Sequence, residues 1–88
     1  LQACRDAGVV VTNTPDVLTD ATADATLLLI LSIVRGAPHA ERTLRAGGWT
    51  GWTPAQTWGR DLAGKTLGVY GWGRIGRAVC ARANALGL

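Results

Sequence analysis

The chain is 88 residues long, 48% apolar and 17% charged, with a net charge of +3. That is enough for one small domain or part of a larger one, and the composition is that of a globular protein with much surface destined for burial. No lysine- or arginine-rich run marks a nucleic-acid surface, and the two cysteines, Cys4 and Cys80, have no Cys or His neighbour at metal-ligand spacing.

Residues 1–7 read as the tail of a helix, closed by Gly8 in the usual C-terminal glycine position. Val9, Val10, Val11 and Thr12 follow as a short β-branched strand, apolar on successive residues and so expected to be buried on both faces. Asn13-Thr14-Pro15-Asp16 is a turn, because Pro15 restricts Thr14 and stops a central strand from continuing.

From Thr19 the pattern turns helical. Thr19 or Asp20 can cap the start, and Asp20 and Asp24 suit the positive end of the dipole. Residues 25–34 are apolar nearly all the way round, so this helix should be enclosed on most sides. Nothing in 88 residues can enclose it, which points to packing against another domain or subunit. The apolar run 27–34 is bounded by Asp24 and Arg35, and is far shorter than the roughly 20 residues of a membrane span.

Gly36-Ala37 interrupts the helix, and Pro38 suits the first turn of a second, largely polar one over residues 38–46. His39, the single histidine, invites a catalytic reading. It has no carboxylate in a defined geometry, and a surface histidine accounts for it better. Residues 47–63 form a long irregular stretch, of the length that tends to be functional or disordered. Disorder does not suit Trp49, Trp52 and Trp58, whose apolar area wants a partner. An intersubunit or active-site role and a loop folded back on its own domain both remain open. Asp61-Leu62-Ala63-Gly64-Lys65 is a turn.

The sequence then reaches Leu67-Gly68-Val69-Tyr70, which reads as a buried strand, and breaks into Gly71-Trp72-Gly73-Arg74-Ile75-Gly76. A helical pattern follows, with Ile75, Val79, Ala83 and Leu86 on one face. Strand, glycine turn and helix N-terminus in that order are the parts of a dinucleotide pyrophosphate site. Gly71 allows the sharp exit from the strand, Gly73 leaves no Cβ where the backbone meets the diphosphate, and Gly76 permits close packing of the helix. The helix start adds unpaired N–H groups and the positive dipole end. The spacing alone also fits an ordinary glycine-rich loop; its placement between strand and helix is what favours a nucleotide. Arg74 would face a phosphate, whereas Arg77 and Arg82 read as a solvated helix face. Cys4 and Cys80 read as small buried apolar side chains rather than a disulfide, consistent with a reducing setting. A dinucleotide fold needs further strands, with an acidic residue about twenty positions on, so the chain is expected to be an internal piece of a longer protein.

The segments Val11-Thr12-Asn13-Thr14-Pro15, Val17-Leu18-Thr19-Asp20-Ala21-Thr22-Ala23-Asp24, Gly47-Gly48-Trp49, Asp61-Leu62-Ala63-Gly64-Lys65-Thr66-Leu67-Gly68 and Gly71-Trp72-Gly73-Arg74-Ile75-Gly76, in that order, resemble the D-isomer-specific 2-hydroxyacid dehydrogenases. Within that family the chain is most similar to glyoxylate and hydroxypyruvate reductases, through Val17-Leu18-Thr19-Asp20 and the Trp49 to Trp52 spacing. The resemblance covers essentially the whole chain.

It implies an α/β fold: part of a Rossmann-type doubly wound parallel sheet, with the hinge and crossing helix from a flavodoxin-like substrate domain. Residues 1–18 would end the substrate domain and form the hinge. Residues 19–88 would supply the crossing helix, dimer arm and first strand–turn–helix of the NAD(P)-binding domain. The resemblance further implies that the backbone of Gly73, Arg74 and Ile75 holds the pyrophosphate of NAD or NADP, within a turn of Gly71, Trp72, Gly73, Arg74, Ile75 and Gly76. It places Thr22 near the nicotinamide and Trp52 toward a partner subunit's substrate pocket. A small 2-oxo acid substrate, a homodimer through helix 21–46 and loop 47–60, and a cytoplasmic enzyme without metal, membrane or nucleic acid follow from the same likeness. The chain departs from the family at Asp24, where Glu is common, and at Trp72, where Leu is usual. The family's catalytic Arg, Glu and His have no counterpart here, so the 88 residues alone are expected to be inactive. Two alternatives stay open: a cofactor-binding regulator of corepressor type on the same scaffold, and a purely structural association segment.

Overall fold

The computed structural model describes residues 1–54 and 59–88; Trp58 lies outside them. Among the described residues four helices form in chain order: α1 (Gln2–Asp6), α2 (Thr19–Val34), α3 (Ala37–Arg45) and α4 (Arg74–Ala85). α2 and α4 pack side by side, and α3 folds against α2.

Glycine ends these helices as the sequence leads one to expect. Gly8, Gly47 and Gly87 each adopt a left-handed conformation just past a helix. In each case the following residue's N–H reaches back to the last turn, as in Leu88 N–H to the Ala83 carbonyl at 3.1 Å. Gly36, also left-handed, separates α2 from α3 and is the N-cap of α3. The start of α2 differs from expectation: Leu18 is the N-cap, and no side chain caps it. Asp20 and Asp24 are engaged elsewhere.

The core is small. Ala23 and Leu27 of α2 meet Val79 and Ala83 of α4, with Leu67, Ala78 and Leu88 packed at the edge. Two alanines in the contact let the helix backbones come close. Ile75 and Leu86, expected on the same buried face, remain partly exposed at its ends. Arg82 then crosses the seam, donating from Nε to Asp24 at 2.6 Å and from Nη2 to Asp20 at 3.0 Å. These bonds, to Asp20 first and then Asp24, raise the pKa of a guanidinium that is charged in any case. Arg82 is therefore an interhelical clamp and not the solvated residue its helical position suggested.

Among the described residues no β-strand forms, which corrects the sheet expected at 9–12 and 67–70. A strand exists only when a neighbour about 4.8 Å away accepts and donates its ladder bonds, and neither segment has one here. The residues nonetheless keep a strand's side-chain alternation at 67–70: Leu67 and Val69 are half-buried, while Gly68 and Tyr70 are exposed. The valines at 9–11 are exposed rather than buried on both faces. Cys4 and Cys80 are free thiols of intermediate burial.

Two backbone bonds anchor the extended segment. Gly64 N–H donates to the Gly87 carbonyl at 2.8 Å, fixing its entry beside the end of α4, and Arg60 N–H donates to Val34 at 2.8 Å, returning the long loop to the end of α2. The radius of gyration is 19.9 Å, against about 12 Å for a compact chain of this length. Much apolar surface accordingly has no cover: Leu28, Leu29 and Ile33 on α2 are 64%, 62% and 74% exposed. No single helix among the described residues is long and apolar enough to cross a membrane.

Candidate functional site

The described residues enclose an open cleft of about 690 Å³. One wall is residues 13–16, which run into the turn 15–18 before α2, the other is the extended segment 67–70 with the glycine turn, and Thr26, Ile30 and Val79 also line it.

The glycine turn is built by three different constraints. Gly71 has φ +103°, which side chains rarely tolerate. At Gly76 a Cβ would stand 2.2 Å from the Gly71 carbonyl oxygen and 3.5 Å from a Val69 methyl, so the first turn of α4 presses directly on the segment before it. Gly73 is unlike both. Its φ of −79° and ψ of −166° are open to any residue, and a Cβ there would meet no atom within 4 Å. Among the described residues nothing in the packing requires glycine at that position.

Gly73 is also the N-cap of α4, and no side chain caps this end. The first intrahelical bond is Arg77 N–H to the Gly73 carbonyl at 3.1 Å. The N–H groups of Arg74, Ile75 and Gly76 precede it and have no acceptor within the helix. The three residues line the cleft, with the positive end of a 12-residue helix behind them. Arg77 braces the turn by donating from Nη1 to the Trp72 carbonyl at 3.1 Å. Bare amides, a helix dipole and room for close backbone approach together make a cradle for an anion, phosphate above all.

Of the residues singled out by sequence, Gly71, Gly73, Arg74, Ile75 and Gly76 line the cleft together. Trp72 turns out of its walls and is exposed. Thr22 sits on an exposed face of α2 outside the cleft, its carbonyl accepting the Thr26 hydroxyl at 2.8 Å. Trp52 and His39 are exposed and do not line the cleft. The sequence reading missed Asp16, whose carboxylate accepts a hydrogen bond from Nη1 of Arg74 across the cleft mouth. The two are 58 residues apart, and no spacing rule connects them.

The sequence pattern of the family described as "D-isomer specific 2-hydroxyacid dehydrogenase, NAD binding domain" matches residues 27–88. A glyoxylate reductase of Thermococcus litoralis is 47% identical over 85 residues, spanning 92% of this chain and 26% of that protein. Among solved structures, a Thermus thermophilus protein superposes with a TM-score of 0.93 at 49% identity, over 98% of this chain and 28% of the other. An NADPH-dependent glyoxylate/hydroxypyruvate reductase from Sinorhizobium meliloti, solved with NADP and malonate, superposes with a TM-score of 0.82 at 43% identity, over 99% and 27%. The chain thus spans about a quarter of the length of the relatives it matches.

Proposed function

The chain belongs to the D-isomer-specific 2-hydroxyacid dehydrogenase family, and from that premise we propose that it supplies the diphosphate cradle of a nicotinamide-dependent reductase. The reaction is hydride transfer between NADH or NADPH and a small 2-oxo acid, glyoxylate or hydroxypyruvate, giving the D-2-hydroxy acid. The observation that carries this reading is Gly73, a glycine that neither backbone conformation nor packing demands. A diphosphate resting on the amides of Arg74, Ile75 and Gly76 gives that missing Cβ a purpose. The names of the relatives, a glyoxylate reductase and a glyoxylate/hydroxypyruvate reductase with NADP bound, support the substrate and cofactor classes.

In this reading residues 1–18 close a substrate domain and form the hinge. Residues 19–88 open a Rossmann-type dinucleotide domain in which 67–70 becomes a sheet strand once neighbours flank it. The bound nicotinamide supplies the hydride. This chain's residues hold and orient the dinucleotide: Gly71 sets the turn, the amides of Arg74, Ile75 and Gly76 bind phosphate oxygens, and Trp72 lies along the outer groove. Thr22, on the exposed face of α2 outside the cleft, is assigned to the nicotinamide by the family likeness, and Trp52 to a partner's substrate pocket. The uncovered leucines of α2, with α3 and the loop 47–60, form the homodimer contact of a cytoplasmic enzyme. No acid–base residue is assigned within the chain.

The test is a spectrophotometric one. The full-length protein is mixed with glyoxylate or hydroxypyruvate and NADH or NADPH, and loss of reduced nicotinamide is followed. Enzyme-dependent oxidation is expected with at least one pair; absence of turnover with all four combinations rejects the proposal.

A further inference from the structure

We propose that Asp16 is an anionic gate on the phosphate turn, occupying Arg74 until a diphosphate takes its place and thereby tying cofactor arrival to release of the turn before α2. The inference rests on the reading of the cleft as a dinucleotide site. Arg74 is the first residue of α4, directly after Gly73, and its guanidinium reaches over the cleft mouth to the Asp16 carboxylate. Among the described residues it is the one side-chain hydrogen bond that joins the two walls of the cleft.

The backbone at Asp16 says why an aspartate stands there. Its φ is +67°, and every other described residue with positive φ is a glycine: Gly8, Gly36, Gly47, Gly51, Gly64, Gly71 and Gly87. A glycine would make the same turn with less strain. What Asp16 adds is a carboxylate, and the structure directs it at Arg74. Strain at a non-glycine residue facing a binding cleft is where function is to be sought.

The bond is built to be exchanged. The Arg74 and Asp16 side chains are 56% and 68% exposed, so the pair is weak and solvent-screened. A diphosphate on the amides of α4 brings more charge and more acceptor oxygens to the same guanidinium. It also sets like charge beside the carboxylate. Asp16 is then displaced, and the turn 15–18, which feeds directly into α2, loses its tether to the glycine turn.

The experiment measures dissociation constants of the full-length protein for NADH, NADPH and inorganic pyrophosphate. Asp16→Asn keeps a residue that tolerates left-handed backbone and removes the charge; Asp16→Gly removes the strain as well and carries the test if the first variant folds poorly. Either should bind the probes about two- to fivefold more tightly than wild type. In an Arg74→Gln background the same substitutions should change affinity by less than about 1.5-fold, because the guanidinium they release is gone. Equal affinity of wild type and both variants overturns the gate. So does an undiminished gain in the Arg74→Gln background, which signals general charge repulsion. Failure of wild type to bind any probe removes the cofactor reading together with this inference; binding that is indifferent to Asp16 removes the inference alone.

Discussion

Substituting alanine at Gly73 and at Gly76 separates a glycine kept for a ligand from one kept for packing. At Gly76 the new methyl would stand 2.2 Å from the Gly71 carbonyl oxygen, roughly 1 Å short of ordinary contact. The obstacle is backbone, so α4 must move off the turn, at about 1–3 kcal/mol by the usual scale of overpacking. At Gly73 the methyl meets no protein atom within 4 Å, and φ is −79°. Alanine is a poorer N-cap than glycine by about 0.5–1 kcal/mol, while the stiffer unfolded chain returns about 0.4–1 kcal/mol. Gly73→Ala should therefore leave stability within about 0.5 kcal/mol of wild type. Its methyl occupies the space above the helix N-terminus and should remove at least one charge-assisted amide bond to phosphate, about 1.5–3 kcal/mol or roughly ten- to a hundredfold in cofactor affinity. Thermal unfolding and nicotinamide fluorescence titration of both full-length variants read the two effects separately. The reasoning is refuted if Gly73→Ala binds NADH and NADPH within about twofold of wild type, or if it melts as early as Gly76→Ala.

Three further outcomes are expected. Arg82→Met should lower the melting temperature more than Asp20→Asn or Asp24→Asn alone, since it removes both bonds of the clamp; melts at low and high salt check this, with the differences narrowing as salt rises. Ala23→Leu puts a larger side chain into the fully buried α2–α4 contact and should destabilise by about 1–3 kcal/mol, measured by denaturant unfolding. Ile33→Glu, on the uncovered face of α2, should convert a dimer into monomers by analytical ultracentrifugation; an unchanged dimer places the interface elsewhere.

Local chemistry made much of this chain legible. Gly8, Gly36 and Gly47 follow helix ends, Pro38 lies at the start of α3, and the helical period after Gly73 gave α4 with Val79 and Ala83 inward. Such signals act over a few residues, so they survive whatever surrounds them. The excess of apolar residues on α2 was legible too, and the structure leaves that face uncovered. The glycine turn and the bare helix start after it were legible because residue type directly controls main-chain freedom there.

Sequence could not decide what touches what across long separations. Hydropathy marked 9–12 and 67–70 as strand material, yet a strand is a relation between two segments, and among the described residues neither finds its partner. Arg82 read as a surface residue because the two carboxylates that hold it lie 58 and 62 residues earlier. The Asp16–Arg74 pair was invisible for the same reason. Side-chain identity along the chain fixes the turns, the glycine caps and the bare amides of the glycine loop; only the packing of α2 on α4 brings the turn before α2 over that loop and makes a cleft of the two.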